Sequence, residues 1–370
     1  MCFQKRPEKL DSKGQRNVTL MSPGFPLPNL ICARQEPCTF GRYSSMSSSQ
    51  VPCSTRRGVN GYIETQVFGY GTSRVSELTS KTPLRLLSPT PQPEERAVLV
   101  FVLNHGGGLV AGDSISLQVN VCPGSRLGLL TQGNTKVYRS ASRSTGCAQT
   151  LNAVVGTGAA MLILPDPIQP FRDSSYRQEQ IFEIDSTTSS LLILDWVCEG
   201  RTARSEKWDF TEWKGRNEIW SAPSHVEGGE VGESGLLLRD NTTLKQSSRL
   251  TPSLRERMDE FGVFGSLFIR GPLFRELAAS FMEAYARLPR VGAYVWSTHG
   301  TTQAHNSQKA NTSGSSETNV KWTVTSARGS VVVRFAAQAV EPAKQWLREV
   351  LIADGTVERE FGKRYLFTFQ

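Results

Sequence analysis

From Gly61 onward, short segments in which apolar and polar residues alternate one by one follow each other along most of the chain. In Ile115–Val121 apolar side chains occupy every second position, and in Ile63–Val67 two β-branched apolar residues and Thr65 alternate with Glu64 and Gln66, a period typical of a half-buried β-strand. Turn-forming residues separate the segments, as at Pro123-Gly124. More than a dozen such segments in succession predict a mainly β fold, built as a stack, barrel or sandwich of many short strands.

The further predicted strands are Arg126–Thr131, Gln149–Val155, Ala160–Leu164, Glu179–Ile184, Ser190–Val197, Glu218–Ser221, Leu236–Leu244, Phe264–Ile269, Val291–Ser297, Lys321–Thr325 and Ser330–Ala336, and Ala97–Leu103 is an apolar run typical of a buried segment. Helical periodicity occurs twice, in 274–288 and 341–353, both in the C-terminal half. A polar insert rich in Gln, Asn, Ser and Thr at about 299–320 predicts a surface loop between two strands. A membrane span needs about 20 mainly apolar residues; the chain has no such run, so we expect a soluble protein.

The net charge of +8 is distributed unevenly. Residues 1–57 carry nine Lys and Arg against three Asp and Glu, together with four of the seven Cys and a Ser-rich run. This composition predicts a disordered basic leader, with a transit peptide as the alternative. The body, 58–370, is nearly balanced at +2, which argues against a nucleic-acid-binding protein, although that reading stays open as an alternative.

Signatures of catalysis are weak. His105-Gly106-Gly107-Gly108 resembles the oxyanion loop of esterases, but the chain has no Gly-x-Ser-x-Gly elbow to carry a nucleophile. A hydrolase using this loop is therefore an unfavoured alternative, and a tight glycine turn is the simpler interpretation. No Gly-x4-Gly-Lys-Ser/Thr loop is present, which argues against nucleotide hydrolysis. The body has three Cys and no Cys-x-x-Cys pair, so we expect no structural zinc site.

Carboxylates fall on or beside segments that should be buried. They are Asp113, Asp166, Asp173, Asp195, Glu199, Glu206 and Asp209. A buried carboxylate must be paired, protonated or bound to a cation, so these residues either form ion pairs with Arg172, Arg201 or Arg204 or line a polar channel. A basic cluster lies around Tyr138 in the sequence, formed by Lys136, Arg139 and Arg143. It is either a solvent-exposed face or a contact surface for another protein.

Several of these stretches together resemble one family. They are Leu103–Asp113 with its Gly-Gly-Leu-Val-x-Gly-Asp turn, Thr131–Ser140, Leu164-Pro165-Asp166-Pro167 leading to Gln178, Asp195-Trp196, and Ser205–Phe210, after an opening segment Thr82–Leu87. In this order they resemble the urease accessory protein UreD, called UreH in some bacteria, in its eukaryotic form. The resemblance covers residues 58–370, and the family's Gly before Glu206 is missing at Arg204-Ser205-Glu206.

The resemblance implies a β-helix-like stack of short strands with two helices, and a cytoplasmic, non-enzymatic chaperone. Such a protein would bind apo-urease, recruit UreF and the GTPase UreG, and help deliver nickel to the dinuclear centre of urease. The resemblance is also compatible with homodimerisation of the protein within this complex. Its partners would be proteins, not nucleic acid or membrane, and nickel would be handled transiently with no tightly bound cofactor.

Two sets of residues are assigned on this basis. The predicted transient nickel path consists of Asp113, Asp173, Asp195 and Glu206, since Ni²⁺ accepts carboxylate ligands. The predicted partner contact consists of His105, Gly106, Gly107, Gly108, Gly112, Lys136, Tyr138 and Arg139.

Overall fold

The structure, a computed structural model, consists mostly of strands and describes residues 58–69, 71–92, 95–140, 145–185, 187–222, 234–246, 252–288 and 320–369. The strands are β1 (Gly61–Phe68), β2 (Thr72–Ser80), β3 (Leu84–Leu87), β4 (Val98–Asn104), β5 (Gly108–Leu109), β6 (Ser114–Val121), β7 (Arg126–Leu130), β8 (Thr135–Val137), β9 (Cys147–Val155), β10 (Ala160–Leu164), β11 (Ile168–Pro170), β12 (Ser175–Ile184), β13 (Ser190–Cys198), β14 (Glu212–Ser221), β15 (Leu236–Lys245), β16 (Val263–Arg270), β17 (Val320–Ala327) and β18 (Ser330–Ala337). The helices are α1 (Leu254–Met258), α2 (Arg275–Arg287), α3 (Val340–Asp354) and α4 (Thr356–Glu360).

The strands form a short parallel β-helix with three faces. Sheet A has the order β15-β14-β12-β9-β6-β1-β2, and sheet B the order β17-β18-β16-β13-β10-β7-β4-β3. The short strands β5, β8 and β11 pair in parallel as a third face. Each coil therefore runs from sheet B through the short face to sheet A, as in β7, β8 and β9. Successive coils pair in parallel, for example β10 with β7 and β12 with β9.

Antiparallel strands close both ends of the stack. β2 pairs antiparallel with β1 at one edge of sheet A, and β3 with β4 at the corresponding edge of sheet B. At the other end β15 pairs with β14, while β16 and β18 extend sheet B from β13. The change from parallel to antiparallel pairing ends the coiling, because hairpin partners lie in the same sheet.

Two apolar cores lie on the two faces of sheet B. The first fills the β-helix interior and includes Ile163, Phe182 and Ile193. The second packs the outer face of sheet B against the helices and includes Leu194 and Trp346. Because sheet B is covered on both sides, every residue of β10 and β13 is buried, which explains their continuous apolar runs.

The predicted mainly β, stacked architecture is confirmed, with α2 and α3 at the two predicted helical stretches. All predicted strands that fall on described residues are present, whereas β2, β3 and the short strands of the third face were missed, and β4 was recognised only as a buried apolar run. The predicted strand 291–297, residues 299–319 of the polar insert and the leader 1–57 lie outside the described residues. The domain boundary after residue 57 therefore stays a prediction.

Candidate functional site

Polar side chains project into the β-helix interior where an apolar core would be expected. Tyr176, Gln178, Gln180 and Phe182 share one face of β12, and all four are buried. Asp195 lies between inward-facing Ile193 and Val197 on β13, so its carboxylate is directed at the same interior. Burying such groups is costly unless each one is hydrogen-bonded.

The groups are joined by an unbroken set of hydrogen bonds. The Tyr176 hydroxyl lies 3.0 Å from Oε1 of Gln178, whose Nε2 donates to Asp195 Oδ1 at 3.0 Å. Asn217 Nδ2 donates to Asp195 Oδ2 at 2.7 Å, and Gln180 Nε2 donates to Asn217 Oδ1 at 3.0 Å. We call these five residues the interior polar network. Both carboxylate oxygens of Asp195 thus accept from neutral donors, and its charge is not neutralised by an ion pair within the network.

Burial dominates the protonation chemistry of the network. The pKa of Asp195 is raised from 3.8 to about 6: burial raises it most, the Asn217 and Gln178 hydrogen bonds lower it, and the nearby Asp240 carboxylate adds to the rise. Burial, with Asp195 close by, also raises the pKa of the Tyr176 hydroxyl well above its usual value. The buried, ionised Asp195 carboxylate is therefore stabilised by a nearby cation, or loses its charge by binding a proton.

A cavity of about 50 Å³ adjoins the network. Its polar lining includes Gln149, Gln178 and Asp195, and its apolar lining includes Leu129 and Ile163. A cavity needs only about 10–15 Å³ of such volume to hold one water molecule. The cavity is therefore large and polar enough for a few waters or a single metal ion.

The cavity shares part of its lining with a pocket beside α3. A second pocket of about 380 Å³ shares Leu130, Thr131 and Asp166 with the cavity. Lys344, from α3, lines this outer pocket, and its ammonium lies 2.7 Å from Asp166 Oδ1. At the other end of the network, Asp240 of β15 is paired with Arg334 of β18. Ion pairs thus flank the interior polar groups on both sides.

The four carboxylates predicted for a nickel path do not lie together. Only Asp195 belongs to the interior polar network. Asp113 lies in the turn after β5, where it accepts a hydrogen bond from the Val110 amide at 2.8 Å. Asp173, with φ of 60°, forms an ion pair with Arg139 at 3.3 Å. Among the described residues there is no group of three or more His, Cys, Asp or Glu side chains that could hold a metal ion.

Glu206 is the most strongly paired of the four. Arg201 Nε donates to it at 2.9 Å and the Arg172 amide at 3.2 Å, and the Arg201 hydrogen bond lowers the pKa of Glu206 although burial opposes the shift. Arg172 also pairs with Asp209 at 3.1 Å. The ion-pair alternative is therefore the one that the structure shows at Glu206 and Asp209.

The predicted partner-contact residues gather on the short-strand face. His105, Gly106 and Gly107 form an exposed turn after β4 in which both glycines have positive φ, 72° and 74°. Gly108 pairs with Lys136 across β5 and β8, and a Cβ there would lie 2.6 Å from the Lys136 carbonyl oxygen. The glycines thus allow both the reversal of the chain and its close approach to β8.

The same face carries an aromatic and basic surface. The Tyr138 ring packs edge-on against Phe171 at 5.3 Å, and the Arg201 guanidinium lies 3.9 Å from the centre of the Phe171 ring. Lys136 and Arg139 are exposed beside them. Gly112, with φ of 93°, lies in the turn before β6. We call the turn His105–Gly108 together with Lys136, Tyr138 and Arg139 the short-strand surface.

Sequence reasoning missed most of the interior polar network and Lys344. A signal was available in β12, where Gln178 and Gln180 occupy the same alternating positions as Tyr176 and Phe182. Glutamines on the apolar face of a strand indicate a polar interior. Nothing local marks Lys344, because it lies 178 residues from its partner Asp166.

Comparison with known proteins finds relatives of this chain by sequence. A sequence model of the UreD urease accessory protein family matches residues 61–364. The chain is 30% identical over 275 residues to an uncharacterized UreD-like urease accessory protein of Schizosaccharomyces pombe, covering 74% of this chain and 87% of that one. It is 32% identical over 303 residues to urease accessory protein 4 of Cryptococcus neoformans, covering 74% and 84%. Urease accessory protein D of Arabidopsis thaliana is 31% identical over 215 residues, covering 58% and 68%.

These matches place the protein in the class of chaperones that take part in metallocentre assembly. Membership of this class supports an accessory, non-catalytic role in the maturation of urease. The chain belongs to the UreD urease accessory protein family. The fungal and plant relatives agree with the eukaryotic form of the resemblance. None of the described helices is both long enough and apolar enough to cross a membrane.

Proposed function

We propose that this protein is a cytoplasmic urease maturation scaffold that binds apo-urease, recruits UreF and the GTPase UreG, and helps deliver nickel to the urease active site. Nickel is its cargo, handled transiently, and the partners bind as proteins, with homodimerisation within the complex. Family membership supports the maturation role. The finer statements rest on the interior polar network and on the short-strand surface.

The observation that carries nickel delivery is the interior polar network. Ni²⁺ accepts nitrogen and oxygen ligands, and a carrier must bind it weakly enough to release it. Asp195 supplies one carboxylate, and Gln149 and Gln178 add neutral side-chain oxygens around the same cavity. One buried negative charge among neutral oxygen donors favours the passage of nickel over its storage.

The test is co-expression of apo-urease, UreF and UreG with and without this chain, followed by nickel content and urea hydrolysis. We expect both to fall without the chain. Asp195→Ala should reduce both in the presence of an intact complex, whereas Glu349→Gln, at an exposed position on α3, should not. Unchanged nickel loading with folded Asp195→Ala in the complex would show that cargo does not pass Asp195.

The other three path residues are tested in the same way. Asp113→Ala, Asp173→Ala and Glu206→Ala each remove a carboxylate that lies outside the interior polar network. If nickel uses the surface beside them, activation falls although the complex still forms. If all three leave activation intact in a folded, assembled chain, the path excludes them.

Partner binding is proposed for the short-strand surface. Reversing the charge of Lys136 and Arg139 together should weaken co-purification with UreF or urease, since both side chains are exposed and adjoin the glycine turn. The matched control reverses Arg74 and Lys81, which are exposed on or just after β2. Equal recovery of complexes from both double variants would contradict the assignment.

A further inference from the structure

Arg270, the last residue of β16, is a buried arginine that pairs with no carboxylate among the described residues. Its exposed fraction is only 7%. Burial lowers the pKa of its guanidinium, and no neighbouring charge compensates that effect. Because arginine stays protonated in proteins, the fold holds a buried positive charge here. Buried charges are normally paired, so this one points to an anion supplied from outside the chain.

Only one nitrogen of the Arg270 guanidinium is used to hold the fold. Nη1 donates to the Arg328 carbonyl oxygen at 2.6 Å and to the Ser330 hydroxyl at 2.8 Å, which ties the group to the β17–β18 hairpin. Nε is fully enclosed, whereas Nη2 is not enclosed and has no partner among the described residues. Gly329 has no side chain to cover it, and a Cβ there would lie 3.9 Å from Nη2. The hairpin therefore fixes Nη2 in place with both of its hydrogens free.

A pocket of about 260 Å³ lies beside this guanidinium. Its lining includes Arg270, Gly329 and, from the first turn of α2, Arg275, and it contains no Asp or Glu. Arg275 is exposed and forms no ion pair with a described residue. Since about 10–15 Å³ of such volume holds one water molecule, the pocket has room for a small ion and its waters. It shares no lining residue with the cavity of the interior polar network or with the pocket beside α3.

The charges around the pocket favour a phosphate group over a carboxylate. Two arginines line it, and α2 begins at Arg275, so the positive end of the helix dipole lies there too. A phosphate dianion offers oxygens to both guanidinium groups and is attracted by both charges, whereas a carboxylate carries a single charge. The Thr187 hydroxyl, also in the lining, already donates to Asp185 Oδ1 at 2.9 Å, so the donors to a ligand come from the arginines.

We infer that this pocket binds a phosphate group, either as the free ion or at the end of a small phosphate ester, through Arg270 Nη2 and the Arg275 guanidinium. Arg270 is the fixed half of the site, because the hairpin holds it. Arg275 is the adjustable half, because its exposed side chain is free to turn towards the ligand. The bound anion neutralises the buried charge of Arg270. This site goes beyond the proposed role in nickel delivery and does not depend on it.

The test measures the binding of radiolabelled inorganic phosphate to the purified full chain by equilibrium dialysis at pH 7.5 and low ionic strength. We expect saturable binding to a single site per chain. Arg275→Glu reverses the charge of an exposed side chain and should weaken binding by about tenfold or more. Arg348→Glu makes the same change at an exposed arginine of α3, outside the pocket lining, and should bind phosphate like wild type.

Arg270→Lys keeps the positive charge but removes the forked pair of nitrogens, so it should also weaken binding by about tenfold or more. If this variant does not fold, the comparison of Arg275→Glu with Arg348→Glu decides. Competition by glycerol 3-phosphate identifies a site that accepts esters, and its failure to compete identifies a site for the free ion. The inference is overturned if phosphate does not bind saturably, if Arg275→Glu binds it as tightly as wild type, or if acetate displaces it at equal concentration.

Discussion

Replacing Asp195 by asparagine should stabilise the protein at neutral pH. The unfolded chain ionises this carboxyl with a pKa near 3.8, whereas burial raises the pKa in the folded protein to about 6. A difference of one unit corresponds to about 1.4 kcal/mol, so ionised Asp195 costs the native state about 3 kcal/mol. Asparagine keeps the shape and resembles the protonated acid, since each presents one acceptor and one donor. Because Gln178 and Asn217 both donate to Asp195 in the wild type, one of these two amides must turn its oxygen towards the new donor.

The sign of the pH dependence follows from the raised pKa. Above about pH 6 both states of the wild type are ionised and the full cost applies. As the pH falls from about 6 to about 4 the folded carboxyl gains its proton first, so wild-type stability rises relative to the variant. We therefore expect Asp195→Asn to be more stable by about 3 kcal/mol at pH 7.5, with an advantage that vanishes near pH 4.

The assay is urea unfolding of both proteins at several pH values between 4 and 7.5, followed by tryptophan fluorescence. Asp185→Asn is a control of opposite sign. Although burial opposes it, hydrogen bonds from Thr187, Thr188 and Thr157 lower the pKa of Asp185, so its carboxylate stabilises the fold above pH 3.8. Asp185→Asn should therefore be less stable than wild type at pH 7.5, and the difference is lost only below the assayed range. An Asp195→Asn variant that is less stable at pH 7.5, or whose advantage does not change with pH, would refute the reasoning.

Three further predictions concern packing, backbone and thiols. Gly128→Ala should lower the free energy of unfolding by about 1–3 kcal/mol in urea titrations, because a Cβ would lie 2.0 Å from the Tyr365 ring. Replacing that ring in Tyr365→Leu should recover part of the loss in the double variant. Full additivity of the two changes in free energy would contradict the clash. Ser205→Gly should raise the free energy of unfolding by about 1 kcal/mol, because Ser205 has φ of 56°, which glycine adopts without strain, whereas Ser76→Gly within β2 should lower it. Cys122, Cys147 and Cys198 should react with iodoacetamide about a hundredfold more slowly than free thiols at pH 8, because burial raises the pKa of each thiol from 9.0 to about 11. Peptide mass spectrometry measures the alkylation rates before and after unfolding. Equal rates in the two states would show that the thiols are not shielded.

The strands that carry the fold were predictable because their signal is local. In β6 and β9 apolar residues alternate along the strand, and the continuous apolar runs of β10 and β13 are explained by cover on both faces. The strands β5, β8 and β11 were missed because segments of two or three residues contain too few positions to show a period. Helices α2 and α3 were predicted from their apolar stripes.

The candidate site was predicted less completely. Asp195 was recognised as a carboxylate on a buried strand, and the glycine turn His105–Gly108 was recognised as a conformational feature. Asp113 and Asp173 were grouped with Asp195 on their charge alone, and the structure places them in turns outside the interior polar network. Spacing along a chain of coils does not show whether a turn carboxylate is directed inward.

Local patterns along the chain predict a stack of short strands, and its ordered motifs indicate the UreD family. Alternation and turn residues suffice for this, because they act over neighbouring positions. Which polar side chains meet depends instead on how the coils and helices pack. Parallel coils bring Gln178, Asp195 and Asn217 together from three strands, and α3 carries Lys344 back across 178 positions to Asp166. Contacts of that range depend on the register between coils and the packing of the helical layer, neither of which is encoded in any one segment.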